Sequence, residues 1–200
     1  RLSKVVEETL YSGMEDGRLD LVLGKGPAAR TVTVDLKPFT LVGATTMYGS
    51  LSGPLRSRFG IINKLEYYSD TDLSAVLTRS ANILKITLDH EAVVALAKRS
   101  RGTPRIANRL LRRARDTAEI HYASHLSKKA VEETVKLLEI DELGLDASDR
   151  ELLTRIIKHH KGGPVGIETL ASALSEDAGT IEEVYEPYLI QLGPLARTKA

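Results

Sequence analysis

Cysteine and tryptophan are both absent from the 200 residues, and phenylalanine occurs only twice. Without cysteine there is no disulfide framework, no thiol chemistry and no thiolate-held metal, a pattern that fits a reducing compartment. No apolar run approaches the roughly 18 residues needed to span a bilayer, and no signal peptide opens the chain. The expectation is a soluble, cytoplasmic protein with no membrane partner. Charge of neither sign dominates: 28 Lys and Arg face 27 Asp and Glu, for a net charge of +1. Bulk charge therefore does not demand a nucleic-acid partner, and its distribution matters more. The phosphate-cradling pattern Gly-x-x-x-x-Gly-Lys-[Ser/Thr] is missing. Gly24-Lys25-Gly26 lacks its spacing, and no hydrophobic strand ends in paired acids for magnesium. The first residue is Arg1, and Arg197-Thr198-Lys199-Ala200 ends the sequence without a natural stop. Both ends look cut, so the sequence is expected to be a fragment.

What is present is an ordinary globular balance, 42% hydrophobic and 28% charged, long enough for one or two domains with a sizeable core. Residues 3–11 read as a helix with Val5, Val6 and Leu10 on one face and Ser3 as its N-cap. Leu19–Leu23 and Thr31–Val34, separated by Gly24-Lys25-Gly26-Pro27, read as a β-hairpin with a long tip. Phe39–Val42 is short and apolar, as a central strand of a parallel sheet would be, and Ile61–Tyr68 reads as a further strand. From Asp70 the pattern turns helical. Thr71 and Asp89 are expected caps, Pro104 falls in the first turn of a third helix, and Ser127 opens a fourth. Asp141–Gly144 is an expected linker. Beyond it, helices around Leu152–Ile157 and Ile167–Leu174 precede Thr180-Ile181-Glu182-Glu183, which matches a capping box. Leu192–Arg197 then reads as the first strand of a wing, completing a winged helix.

The richest stretch is Gly43-Ala44-Thr45-Thr46 followed by Pro54-Leu55-Arg56-Ser57-Arg58-Phe59-Gly60. A hydroxyl at the carboxyl end of a sheet strand lies where ligands bind in α/β folds. A guanidinium keeps its charge and matches phosphate oxygens, so Arg58 is a candidate to reach a nucleotide of a neighbouring subunit. Its bland alternative is a surface arginine paired with a carboxylate. Arg56 is the competing candidate, its side chain pointing the other way if the segment is extended. The run Lys98, Arg99, Arg101, Arg105, Arg109, Arg112, Arg113 and Arg115 has a solvated helix face as its bland reading. Arg105 stands apart, because it lies in the first turn of a helix, where the dipole favours an anion beside it. Glu15-Asp16 has no histidine or nucleophile beside it. His121 and His125 lack a completing carboxylate, so no metal site is expected.

With these residues in view, the chain closely resembles the RuvB family, bacterial AAA+ motors for branch migration of Holliday junctions. The most specific segments are Gly24–Pro27, Pro38–Thr46, Arg101–Arg109, Gly162–Gly166 and Glu186–Ile190. The resemblance implies an α/β plus all-α fold. Residues 1–69 would be the C-terminal part of an AAA+ P-loop ATPase sheet domain, 70–141 a small helical lid, and 144–200 a truncated winged helix. It implies ATP and Mg2+ as cofactors, with the P-loop and magnesium ligands upstream of Arg1, so that this fragment alone would be inactive. It implies Thr46 as sensor 1, Arg58 as a trans-acting arginine finger and Arg105 as sensor 2. Glu15, Asp16, Gly17, Arg58, Tyr68 and Arg105 would be the ATP contacts, and Arg197 a DNA contact in the wing. The implied partners are junction DNA and its duplex arms, RuvA at the hairpin 19–34, the RuvC resolvase in the wider complex, and further copies forming a hexamer. The implied setting is recombination, repair and the DNA-damage response. Met47, Ser12-Gly13, Gly17 and Lys199 depart from the family pattern, which usually has arginine, Pro-Ala, an aromatic and proline there. Two other readings compete: an AAA+ replication ATPase of clamp-loader or initiator type, and a non-enzymatic winged-helix DNA-binding adaptor.

Overall fold

The computed structural model describes residues 3–24 and 30–198, which divide into two units at Leu65 and Glu66. In the first unit, α1 (Lys4–Glu15) begins at Ser3, whose Oγ accepts from the Val6 amide at 3.4 Å. It ends in a left-handed turn at Gly17, φ 66°, where a side chain would be strained. The turn feeds β1 (Arg18–Leu23), which pairs antiparallel with β2 (Arg30–Asp35) in the register Leu19↔Val34, Leu21↔Val32, Leu23↔Arg30. The hairpin is as expected, while its tip, 25–29, lies outside the described residues. Gly13 is buried against the hairpin base; a Cβ there would come within 3.1 Å of Leu19 Cδ2 and 3.4 Å of Leu36 Cδ1. A 3₁₀ turn (Tyr48–Ser50) precedes α2 (Gly53–Arg58), which is capped by Ser52 and buries Leu55.

Two expected strands are not formed. Phe39–Val42 is irregular, with Val42 85% exposed, and Ile61–Tyr68 is irregular too, with Leu65 90% exposed. A strand exists only by pairing, and among the described residues no other strand lies beside either segment. The segment carrying Arg56 and Arg58 is helical, so its expected extended geometry does not hold.

In the second unit, α3 (Asp70–Ile83) is capped by Ser69, whose Oγ accepts from the Asp72 amide; Thr71 already lies inside the helix. After β3 (Thr87–Leu88), α4 (His90–Lys98) starts at Asp89, but that carboxylate makes no cap bond and instead meets His125 Nε2 at 3.1 Å. Pro104 opens α5 (Pro104–His121), where its missing N–H costs no hydrogen bond. β4 (His125–Leu126) runs parallel to β3, and α6 (Lys128–Leu137) is capped by Ser127 as expected. Leu73, Leu77 and Ala81 of α3 recur every four residues and bury one stripe. They meet Leu96 of α4, Leu110, Leu111 and Ala114 of α5, and Val131 and Val135 of α6 in one core.

A second core gathers α7 (Ala147–His160), α8 (Ile167–Leu174), the short α9 (Ala178–Thr180), a π-helical turn at Ile181–Tyr185 and α10 (Glu186–Leu192). Leu152, Ile156, Leu170, Ile181 and Leu189 form its centre. The capping box expected at Thr180 is absent. Thr180 has helical φ/ψ of −63° and −43°, and its hydroxyl makes no cap bond, while Asp177 accepts from the Gly179 amide instead. The reciprocal box lies at Asp146 and Asp149, ahead of α7. The segment after Gly193 forms no wing strand, again without a partner strand among the described residues.

Candidate functional site

Arg58 ends α2 and turns back across its own unit. One terminal nitrogen lies 2.8 Å from Glu15 Oε1, and the other donates to the Pro54 carbonyl at 2.8 Å. The guanidinium carbon lies 4.3 Å from the centre of the Tyr11 ring, while its Nε is buried without a hydrogen-bond partner among the described residues. Cation–π stacking and an ion pair thus hold one cation between α1 and α2. Tyr11 is held in turn: its hydroxyl donates to Glu7 Oε1 at 3.1 Å and lies 2.9 Å from Ser52 Oγ, and Ser52 also donates to Glu7. Arg56 lies apart, over the Tyr48 ring at 5.4 Å. The sequence named Arg58 and Glu15 separately, and folding brings them into contact. Tyr11 and Ser52 were not singled out; the only local signal was Ser52 two residues ahead of Pro54.

Thr46 is exposed and makes no hydrogen bond among the described residues, whereas Thr45 Oγ1 accepts from the Met47 amide at 3.0 Å. Asp16 faces Arg18 at 3.7 Å, and the Gly17 carbonyl accepts from the Leu36 amide at 2.7 Å.

In the second unit, Tyr68 bonds the turn that leads into the helix carrying Arg105. The Tyr68 amide donates to the Gly102 carbonyl at 2.9 Å, and the Tyr68 side chain is 48% exposed. Two residues beyond Gly102, α5 begins, with Arg105 in its first turn, exposed and without an ion pair or hydrogen bond among the described residues. An exposed cation with the free amides of a helix start suits a phosphate, and an exposed aromatic suits a base, so these residue types fit a nucleotide. No group of acidic or histidine side chains among the described residues is placed to hold a metal ion.

The arginines of the run beyond Arg105 behave as a solvated face, whereas Arg101 is mostly buried against Asp149. Arg109, Arg112 and Arg113 are exposed, and Arg115 meets Asp116 at 2.7 Å and Glu119 at 3.5 Å. His121 and His125 each face a single carboxylate, Glu133 at 3.7 Å and Asp89 at 3.1 Å. Tyr122 donates to Glu133 at 2.6 Å, and that bond to a carboxylate pushes the phenol pKa up. Arg197 is gripped by two carboxylates. Its Nε donates to Glu186 at 3.0 Å, and one terminal nitrogen reaches Glu186 at 2.7 Å and Glu182 at 2.8 Å. These bonds raise its pKa further.

Comparison with known proteins gives a consistent result along the chain. Residues 1–65 match the family profile described as the Holliday junction DNA helicase RuvB P-loop domain. Residues 68–141 match the RuvB AAA lid domain, and 142–200 the RuvB C-terminal winged helix domain. The Holliday junction branch migration complex subunit RuvB of Nitratidesulfovibrio vulgaris is 55% identical over 198 residues, covering 99% of this chain and 62% of the relative. The solved Thermotoga maritima RuvB Holliday junction branch migration motor superposes with a TM-score of 0.82 at 46% identity, over 99% of this chain and 61% of that one. A point mutant of the same Thermotoga protein gives a TM-score of 0.84 at 46% identity, over 99% and 62%. The chain spans about three fifths of the length of the relatives it matches. Among the described residues, no helix is long and apolar enough to cross a membrane.

Proposed function

Since the chain belongs to the RuvB family, we propose that it is the larger part of an ATP-driven DNA motor for Holliday junction branch migration. The observation that carries this reading is the agreement with all three RuvB profiles in order, at 55% identity over 198 residues. It favours this reading over a clamp-loader, an initiator or a non-enzymatic adaptor. We divide the chain into 1–69, the end of the large ATPase domain; 70–141, the lid; and 144–200, the DNA-binding head. The P-loop and the magnesium ligands belong, in this proposal, to the part of the relatives' length that the chain does not span.

ATP supplies the anhydride whose cleavage powers the motor. Arg105 and Tyr68 hold the nucleotide on the subunit that carries them, Arg105 as sensor 2 with its cation directed at phosphate. Thr46, as sensor 1, offers its unpaired hydroxyl. Glu15, Asp16 and Gly17 complete the contacts. Arg58 acts across a subunit boundary as the arginine finger, exchanging Glu15 for phosphate oxygens. This role is supported by its position on a rigid helix and by the stacking on Tyr11, which orients the guanidinium plane. Arg197 grips the DNA backbone, exchanging Glu182 and Glu186 for phosphates, so binding is largely sequence-independent and salt-sensitive. RuvA docks on the hairpin 19–34, where Val22 and Leu23 stand exposed. Six copies form the ring, RuvC joins the wider complex, and the setting is the cytoplasm.

The test is Arg58→Ala in the full-length protein. Nucleotide binding should persist, while hydrolysis falls by about 10³–10⁵. Hydrolysis near the parental rate would remove the finger role.

A further inference from the structure

The five residues Arg99–Thr103 form a turn with one face toward Tyr67 and Tyr68 and the other toward the head. Arg101 and Gly102 are both left-handed, with φ of 51° and 63°, and a Cβ on Gly102 would come within 2.7 Å of Tyr67 Cβ. Gly102 holds the Tyr68 amide on the first face, and Arg105 follows in the first turn of α5. On the second face Arg101 Nε donates to the Gly144 carbonyl at 2.8 Å, and its terminal nitrogen donates to Asp146 at 3.3 Å and to Asp149. The same guanidinium lies 4.9 Å from the centre of the Tyr188 ring, and the Tyr188 hydroxyl donates to the Leu143 carbonyl. Gly144 packs so closely that a Cβ would meet the Arg99 carbonyl at 2.9 Å. One lid cation therefore gathers the linker, the first turn of α7 and α10.

This clasp is not a by-product of a shared hydrophobic core. The buried clusters of lid and head have no residue in common. Asp149 is fully buried at the foot of α7, where it also accepts from the Asp146 amide at 3.0 Å. A buried carboxylate with a bonded, stacked guanidinium fixes orientation more than it adds stability.

We propose that Arg101 is a positioning residue that transmits the state of the nucleotide-reading turn to the DNA-binding head, by clasping Asp149, Asp146 and Gly144. This rests on the motor reading above. A shift of Arg105 or Tyr68 displaces the turn, and the head follows because the guanidinium is bonded to it on three sides. Lysine in its place would keep the charge but lose the planar fork and the ring stacking.

The experiment compares the full-length parent with Arg101→Lys and with the double variant Arg101→Met/Asp149→Asn, which leaves no unpaired buried charge. Spin labels go on Glu132→Cys of α6 and Glu168→Cys of α8, both exposed, and this chain contributes no competing cysteine. The parent should give one narrow label distance, the double variant a broad distribution, and Arg101→Lys an intermediate width. Branch migration per ATP hydrolysed should fall about tenfold or more in the double variant, whatever its basal hydrolysis rate. An unchanged distance distribution, or hydrolysis and migration falling in proportion, overturns the proposal. A parent that hydrolyses no ATP overturns the motor reading and the transmission with it, while the label distance still decides whether the clasp holds head to lid.

Discussion

Removing Arg101 alone should expose what the buried pair costs and what it contributes. In Arg101→Met, the Asp149 carboxylate keeps its place, 0% exposed, with no cation beside it, and the Gly144 carbonyl and the Tyr188 ring lose their partner. Leaving one member of a buried ion pair uncompensated costs about 3–5 kcal/mol. For a unit of this size that lowers the melting temperature by roughly 10–20 °C. The loss depends on pH in a definite direction. Burial pushes the Asp149 carboxyl up from the ordinary aspartate value, against the pull of the Asp146 amide and of Arg101. The folded chain then holds a proton at a pH where the unfolded chain has released it. This group's contribution to stability therefore declines as pH rises from the ordinary aspartate value through the raised one, and is level above it. Deleting Arg101 removes a lowering influence and drives the carboxyl higher still. Destabilisation should therefore be greater at neutral pH than under acidic conditions, where protonation removes the unpaired charge. Adding Asp149→Asn should recover part of the loss at neutral pH. Thermal unfolding followed by circular dichroism under both conditions measures this. An equal loss at both, or a deeper loss at neutral pH on adding Asp149→Asn, would refute the reasoning.

Two further outcomes follow from the packing and the charges. Leu111→Ala, at a fully buried position of the lid core, should destabilise the second unit by about 2–5 kcal/mol in chemical denaturation without altering the head core. Arg197→Ala should weaken duplex binding about uniformly across sequences and lower the salt dependence of the affinity by about one ion; a sequence-selective loss would contradict a backbone contact.

The lid was legible because its signal is local. Leu73 and Leu77, Leu110 and Ala114, and Val131 and Val135 recur at helical spacing, and all are buried. Ser3 and Ser127 were readable as caps for the same reason. Misreadings arose where a local pattern had a stronger competitor. Ser69 precedes Thr71 and takes the cap. His125, distant in sequence, draws off the Asp89 carboxylate. Thr180 lies within a run that is already helical, so its hydroxyl has no orphan amide to serve. Phe39–Val42 and Ile61–Tyr68 have strand composition, but pairing is a property of two segments, and the second is not among the described residues. The sequence named Arg58, Glu15, Tyr68 and Arg105 one by one. It gave no sign that Glu15 would hold Arg58, or that Arg101 would bond an aspartate 48 positions away, because such contacts depend on how helices pack.

The π-helical turn at Ile181–Tyr185 adds one residue to a run that would otherwise wind regularly into α10. Each residue in a helix advances by about 100°. Because a π turn winds less per residue, it takes up that extra residue, whereas winding all five into α geometry would rotate Tyr188 out from beneath the guanidinium and Glu186 away from Arg197. The wider turn thus keeps the contacts downstream of it in phase with the helix that comes before.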